Sequence, residues 1–363
     1  MRGRREGIRG GVVGVVGVIT LALAGVSAPA AQAHPYRHRG PQLTVMTRNL
    51  YLGASLTAAV AATRPADFLA AVATAYGKAQ FTDFPARAVA VAEEIATDEP
   101  DVIGLQEVTK WETSGPGVPP SQDFLAILQT AMADRGLHYE VASTSDNADI
   151  GPVPLVVPCA STVVGACTVT LKDRDVLLVN SDTRGLRWGN ARHGNYVAQQ
   201  RFTPPIKGAE PVSFNRGWVS VDARYRGERI HVASTHLETA AAEDVQEAQA
   251  AEFLAGPARG RGTDLALGDF NSAADGSTTD TYAALTDQFR DAWRGNDDPG
   301  VTCCQDPTLT NSTSQLGIRV DLILSRRGAK PVEAHRVGTA PFRASPPFWP
   351  SDHAGVVATF RLR

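Results

Sequence analysis

The chain has 363 residues, 43% of them hydrophobic and 20% charged, which suits a folded protein with a large buried core and excludes a disordered or fibrous chain. Its formal net charge of −3 becomes −6 once residues 1–33, with four Arg and one Glu, are set aside. That balance excludes nucleic-acid binding through a generally basic surface, while a local basic patch stays open.

Arg2, Arg4, Arg5 and Arg9 precede the apolar run GVVGVVGVITLALAGV, and AQA at 31–33 has the small residues of a cleavage site. Residues 1–33 therefore read as a secretory signal peptide, and the protein is expected to be secreted and extracellular. The run is short for a membrane span, and no later stretch approaches the roughly 20 apolar residues a span needs. Residues 34–41 read as a flexible polar leader, and 42–363 as one domain. Cleavage after Ala33 would leave His34 at the N-terminus, where an amine and an imidazole together can bind copper for oxidative chemistry. Only that position supports the copper reading.

The first strand is expected at 42–50, QLTVMTRNL, followed by a helix near 66–76. Ala88, Val91, Ala92 and Ile95 recur at helical spacing and predict a second helix over 86–97, while Val102, Ile103 and Leu105 mark a buried strand. Ser121 can cap a further helix running to about Arg135. Residues 143–215 are rich in Pro, Gly and polar side chains and read as loops, with RDVLLVN their one strand. RGWVSVDARY and ERIHVASTHLE are two strands joined by a turn at Gly227, then a helix over 241–254 and the link GPARGRG. LALGDFNS, RVDLILS and GVVATFRLR supply the last strands. Helices and strands in this order suit a mixed α/β sandwich with functional loops at one end.

The four cysteines form two close pairs, Cys159 with Cys167 and Cys303 with Cys304, and export would favour disulfides. A Cys159–Cys167 bridge closes a small loop. Adjacent cysteines bridge only in strained geometry, so two cross-links between the pairs are equally open. Zinc is less favoured, because CxxC spacing is absent.

Several strands end in a residue capable of chemistry. Asn49 ends the first, Glu107 follows VIGLQ, His236 ends HVASTH, Asp269 and Asn271 end the LALGDFNS strand, Asp321 opens DLIL, and SDH at 351–353 precedes the last strand. TRNLYLG, GLQEV, RGWVSV, STHLE, LGDFN, RVDLI and SDH occur in the order found in the endonuclease/exonuclease/phosphatase superfamily, which the chain resembles over nearly all of 42–363. The resemblance, to deoxyribonuclease-like and sphingomyelinase-like members, implies a four-layer α/β/β/α sandwich of two packed mixed β-sheets and a metal-dependent phosphoesterase.

By the resemblance, Glu107 is the principal ligand of Mg²⁺, with Mn²⁺ or Ca²⁺ as alternatives, assisted by Asn49 and Asp352. Asp269 orients and deprotonates water, Asn271 holds water or phosphate, and His236 and His353 donate to phosphoryl oxygens. Independent chemistry agrees: in-line attack on a phosphoester needs a hard cation, carboxylates and hydrogen-bond donors. Asp321 would fix and charge His353.

Substrate signals are local. Arg216 is a candidate phosphate contact, and Tyr51 stands where apurinic-site endonucleases carry an acidic residue. TRGLRWGNARHGNYVAQQR, 183–201, has four arginines with Trp188, His193 and Tyr196 interleaved, suited to a polyanion or to a solvated loop. Phe342, Phe348 and Trp349 form either an apolar rim or part of the core. The expected partner is a phosphodiester, in nucleic acid or a phospholipid head group, and the protein is expected to be a monomer. A phosphomonoesterase, or a silent toxin-like binding member, are the other readings.

Overall fold

Residues 40–363 are described by a computed structural model; the expected signal peptide, His34 and most of the 34–41 leader lie outside the described residues. In chain order the main elements are β1 (Gln42–Asn49), α1 (Pro65–Phe81), α2 (Phe84–Asp98), β2 (Val102–Gln106), β3 (Lys110–Ser114) and α3 (Phe124–Ala133). Then come β4 (Tyr139–Pro154), β5 (Thr168–Asn180), β6 (Leu186–Asn195), β7 (Gly217–Tyr225) and β8 (Glu228–His236). The chain closes with α4 (Glu243–Ala255), β9 (Thr263–Asp269), β10 (Asp321–Arg326), β11 (Ala329–Val337) and β12 (Gly355–Leu362).

Two mixed sheets result. The first has the order β11-β12-β1-β2-β5-β3, with β4 also paired to β5; the second has the order β10-β9-β8-β7-β6. Side chains alternate across a strand, and the chain exploits this. Leu43, Val45, Leu177 and Val179 of the first sheet meet Val219, Val221, Leu265, Leu267 and Ile323 of the second in one core. Their neighbours Met46, Val176 and Leu178 face outward onto Tyr76, Val91, Ile95 and Leu128 of the helices. On the opposite side Ala233, Ala266, Leu322 and Leu324 pack against Ala250, Phe253 and Leu254 of α4. The four-layer α/β/β/α sandwich follows directly from this alternation. Each fully buried Val or Leu contributes roughly 1.5–3 kcal/mol, so the sheet-to-sheet layer is the main tie between the two halves that carry the site.

That tie is close beneath the site. Gly104 lies so near the facing sheet that a Cβ would come within 2.8 Å of Leu267 Cδ1. Gln106 Nε2 donates to Ser234 Oγ at 3.0 Å across the gap, and Thr47 Oγ1 donates to Gln106 Oε1 at 3.2 Å.

Two expectations are corrected. Residues 143–215 are mostly not loops: β4 and β5 form a long hairpin and β6 follows. The polar run STSDNADIG hides this because three register shifts in the β4–β5 pairing break the apolar alternation. Asp123, not Ser121, caps α3, its carboxylate accepting from Leu125 N and Ala126 N, while Ser121 Oγ is taken by Thr113 N. Of the two cysteine pairings left open, the local one is present, Cys159 with Cys167 and Cys303 with Cys304. The Gly227 turn is as expected, with Arg226 and Gly227 at φ 50° and 98°, the left-handed pair of a two-residue hairpin.

Candidate active site

Strand register assembles one wall of the site. In the parallel β8–β9 pair His236 lies beside Asp269, and in the antiparallel β9–β10 pair Asp269 lies beside Asp321. Gly217 stands opposite His236, so Arg216 enters at the same level. The other wall comes from the first sheet, where Asn49 pairs with Gln106 and Glu107 follows at once. Tyr51, Glu107 and Asn271 each hold a left-handed φ, 59°, 53° and 50°, at the points where these strands turn into the cleft. Non-glycine residues take that conformation at a cost, and it persists only where the surroundings enforce it.

Asn49 joins the two walls. Its Nδ2 donates to Glu107 Oε1 at 3.2 Å and to Asp269 Oδ2 at 3.1 Å, while its Oδ1 accepts from Tyr51 N at 2.9 Å. The Tyr51 bond fixes which end of the carboxamide faces the carboxylates. Asn49 is thus a donor bridging the two carboxylates. Leu52 N donates to the second Glu107 oxygen at 2.7 Å.

The two histidines differ. His353 Nδ1 lies 2.8 Å from Asp321 Oδ2 and 3.8 Å from Asp269 Oδ2. Burial opposes a charge on His353, but Asp321, Asp269 and Asp352 outweigh it and hold its pKa well above the ordinary imidazole value. His236 is driven the other way, by burial, by Arg216 and by His353. Asn271 Nδ2 donates to His236 Nε2 at 3.2 Å, which suits a neutral ring. The surroundings thus favour the charged form of His353 and the neutral form of His236. Environments that separate the pKa values of neighbouring groups assign acid and base roles.

Among the carboxylates, burial and the adjacent Asp321 push Asp269 up to about 6. Burial, with repulsion from Glu107 and Asp269, pushes Asp352 up to about 7 against the pull of His353 and Arg87. Among the described residues the Asp352 carboxylate accepts only a long 3.5 Å bond, from Ser351 Oγ. Glu107 and Asp352 are hard oxygen donors held close enough to repel, a donor set that fits Mg²⁺ or a similar cation. Asp269, Asp321 and His353 also place ligand atoms within 4.8 Å of one another. There His353 Nδ1 is already spent on Asp321, so this second group reads as a hydrogen-bonded triad.

Two buried arginines that sequence reasoning missed hold the loops in place. Fully buried Arg87 of α2 donates to Thr82 O (2.8 Å), Leu50 O (2.5 Å), Tyr51 O (3.1 Å) and Pro350 O (3.2 Å), clamping the Asn49 turn to the SDH turn. Arg48, paired with Glu94 at 2.9 Å, donates to the His353 carbonyl. Arg87 lies between Ala86 and Ala88 on the helix whose face carries Val91 and Ile95, so an arginine there could have been flagged as one needing buried partners. Asp173, pushed up to about 7 by burial and by Glu107, and Asp175, well above its ordinary value, were also missed; both lie on β5 beside the site.

Of the expected substrate contacts, Arg216 reaches the site, its Nη1 3.1 Å from the His236 ring and its Nη2 3.1 Å from Glu238. Tyr51 and Trp349 do not offer a surface. They are 5% and 2% exposed and pack with Leu309 and Phe348, Tyr51 Oη donating to Pro307 O and Trp349 Nε1 to Asn311 O. The apolar rim is therefore core, apart from Phe342. Tyr196 is also core, whereas Arg187, Arg192 and His193 remain exposed on β6.

A two-sheet sandwich with acidic, amide and imidazole side chains converging at one end defines a phosphoester-hydrolase class of site. The chain belongs to the Endonuclease/Exonuclease/phosphatase family, whose model matches residues 49–353, from Asn49 to His353. Similar solved structures include an endonuclease/exonuclease/phosphatase from Beutenbergia cavernae (21% identity, 88% of this chain and 72% of that one, TM-score 0.53). Another is a family member from Bacteroides thetaiotaomicron (15%, 90% and 100%, 0.53), and a third a D. rerio TDP2 humanized by 14 mutations (14%, 88% and 98%, 0.53). At these identities the likeness is one of fold. No curated protein matches the chain by sequence.

Proposed function

We propose that the protein is a secreted, divalent-metal-dependent phosphodiesterase that cleaves its substrate by in-line attack of water. The observation that carries this reading is the Asn49 bridge, which ties the Glu107 oxygen-donor side to the Asp269 base side within 3.2 Å. Glu107 and Asp352 would hold the cation, which when bound would neutralise charge on the phosphoryl group. Asp269, with a pKa near 6, takes a proton from the attacking water as its oxygen bonds to phosphorus. His353, kept charged by Asp321, donates from Nε2 to the phosphoryl oxygen as negative charge builds. Asn271 and neutral His236 fix the geometry on the opposite side, and Arg216 adds a cation there. The ester P–O bond breaks, its oxygen takes a proton from solvent, and Asp269 returns to solvent the proton it took from the attacking water.

Between the two substrate classes, nucleic acid is favoured. Burial of Phe348 and Trp349 removes most of the apolar rim, while Arg187, Arg192 and His193 stay exposed on β6, next to the strand that follows Arg216. Both cysteine pairs are bridged, as suits an oxidising compartment. Purified protein with Mg²⁺ should cut plasmid DNA or RNA, lose that activity with EDTA, and lose binding steeply as salt rises. Cleavage of phospholipid vesicles alone would move the substrate to lipid. Silence on every phosphodiester would leave a non-catalytic member of the family.

A further inference from the structure

The Thr302–Gln305 segment is laced to both halves of the Asp321–His353 pair. Thr302 Oγ1 accepts from Asp321 N at 3.1 Å, Ala354 N donates to Thr302 O at 2.8 Å, and Gln305 N donates to Asp352 O at 2.8 Å. Cys303 forms backbone bridges with Ile318 and with His353. This lacing brings Cys304 Sγ to 3.8 Å from His353 Nε2, the nitrogen left over once Nδ1 is engaged by Asp321. The two sulfurs and this histidine form a group whose ligand atoms all lie within 4.8 Å of one another. Cys303 is buried, but Cys304 is exposed and open to a reductant.

We propose that Cys303, Cys304 and His353 form a conditional site for a soft divalent cation such as Zn²⁺, available only when the Cys303–Cys304 disulfide is reduced, and that its occupation stops hydrolysis. A dithiol or, with water, a trialkylphosphine supplies two electrons; the S–S bond breaks, two thiols form, and the reductant becomes a disulfide or a phosphine oxide. Metal binding then displaces three protons, one from each thiol and the one on His353 Nε2, and leaves an S₂N donor set. Thiolate and imidazole select zinc-like ions over Mg²⁺, whose site offers only oxygen. Nε2 bound to a metal has no proton to donate, so His353 is withdrawn from the phosphoryl oxygen. The inhibitory half rests on the proposed function; the binding half does not.

Co²⁺ absorption tests binding without reference to activity, because a thiolate ligand gives cobalt an intense near-ultraviolet charge-transfer band. The band should appear in the phosphine-reduced full chain and in reduced C159A/C167A, and be absent from oxidised protein, from C303A/C304A and from C304S. A band that persists in C303A/C304A, or none in the reduced chain, overturns the site. Zinc titration of hydrolysis at fixed Mg²⁺ then reads the consequence. Reduced wild type should be inhibited at zinc concentrations at least about tenfold lower than oxidised protein, a difference C303A/C304A should lack. Equal zinc sensitivity in both redox states, with the cobalt band present, overturns the inhibitory half.

Discussion

Replacing Asp269 by Asn should uncouple stability from activity. The carboxyl sits at about 6 instead of 3.8, so at pH 7.5 its ionised form costs the fold about 3 kcal/mol. The sign follows from the raised pKa: the contribution to stability is complete below about pH 3.8 and is lost as pH rises through about 6. A neutral carboxamide escapes that penalty. It must also turn an N–H toward either Asn49 Nδ2 or Asn271 N, which face the two Asp269 oxygens at 3.1 and 3.0 Å, at a cost of about 1–3 kcal/mol. At pH 7.5, in EDTA, D269N should therefore be as stable as wild type or up to about 2 kcal/mol more so. On going to pH 5 its stability relative to wild type should fall by about 1–1.5 kcal/mol, as the native carboxyl takes up its proton. Turnover should fall by about 10²–10⁴, the usual contribution of a general base. Urea denaturation at both pH values and a phosphodiester assay measure the three quantities. A pH-independent stability difference, or turnover within about twofold of wild type, would refute the reasoning.

Wild-type hydrolysis should fall on the acid side with a midpoint near pH 6, as Asp269 is protonated. Asp321→Asn removes the largest influence raising the His353 pKa, so its deficit should be greater at pH 8 than at pH 6, read from kcat across that range. Arg87→Met strips four carbonyls of a buried donor; it should lower stability by about 3 kcal/mol and impair turnover, checked by denaturation midpoint and kcat. Removing both Cys159 and Cys167, which lie eight positions apart, should cost about 2–3 kcal/mol and leave kcat unchanged, since the loop they close carries none of the candidate site residues.

Most of the sandwich could be read from the chain because its central strands alternate strictly: Leu265 and Leu267 inward, Ala266 outward, and likewise Val176 to Val179. The β4–β5 hairpin escaped notice where bulges interrupt that period, and no local pattern distinguishes such a strand from a polar loop. Strand-end chemistry was equally visible, since Asn49, Glu107, His236 and Asp269 each stand at or directly after the last residue of a strand whose apolar run is evident in the chain. What a single chain could not disclose was the long-range partner. The opposite pKa directions of His236 and His353 arise from Arg216 and Asp321, which are brought close only by strand register. The clamping by Arg87 depends on carbonyls from Leu50 to Pro350 that only the packed sandwich brings together.

Release of nitrophenolate from a simple phosphodiester, followed with and without EDTA for wild type, E107Q, H353A and the surface control R64A, tests the convergence of these side chains on one phosphorus centre. Wild type and R64A should be equally active with Mg²⁺ and silent in EDTA, and E107Q and H353A should each lose about a hundredfold or more. Mg²⁺-independent hydrolysis, or a folded E107Q or H353A that works as well as wild type, would contradict the account.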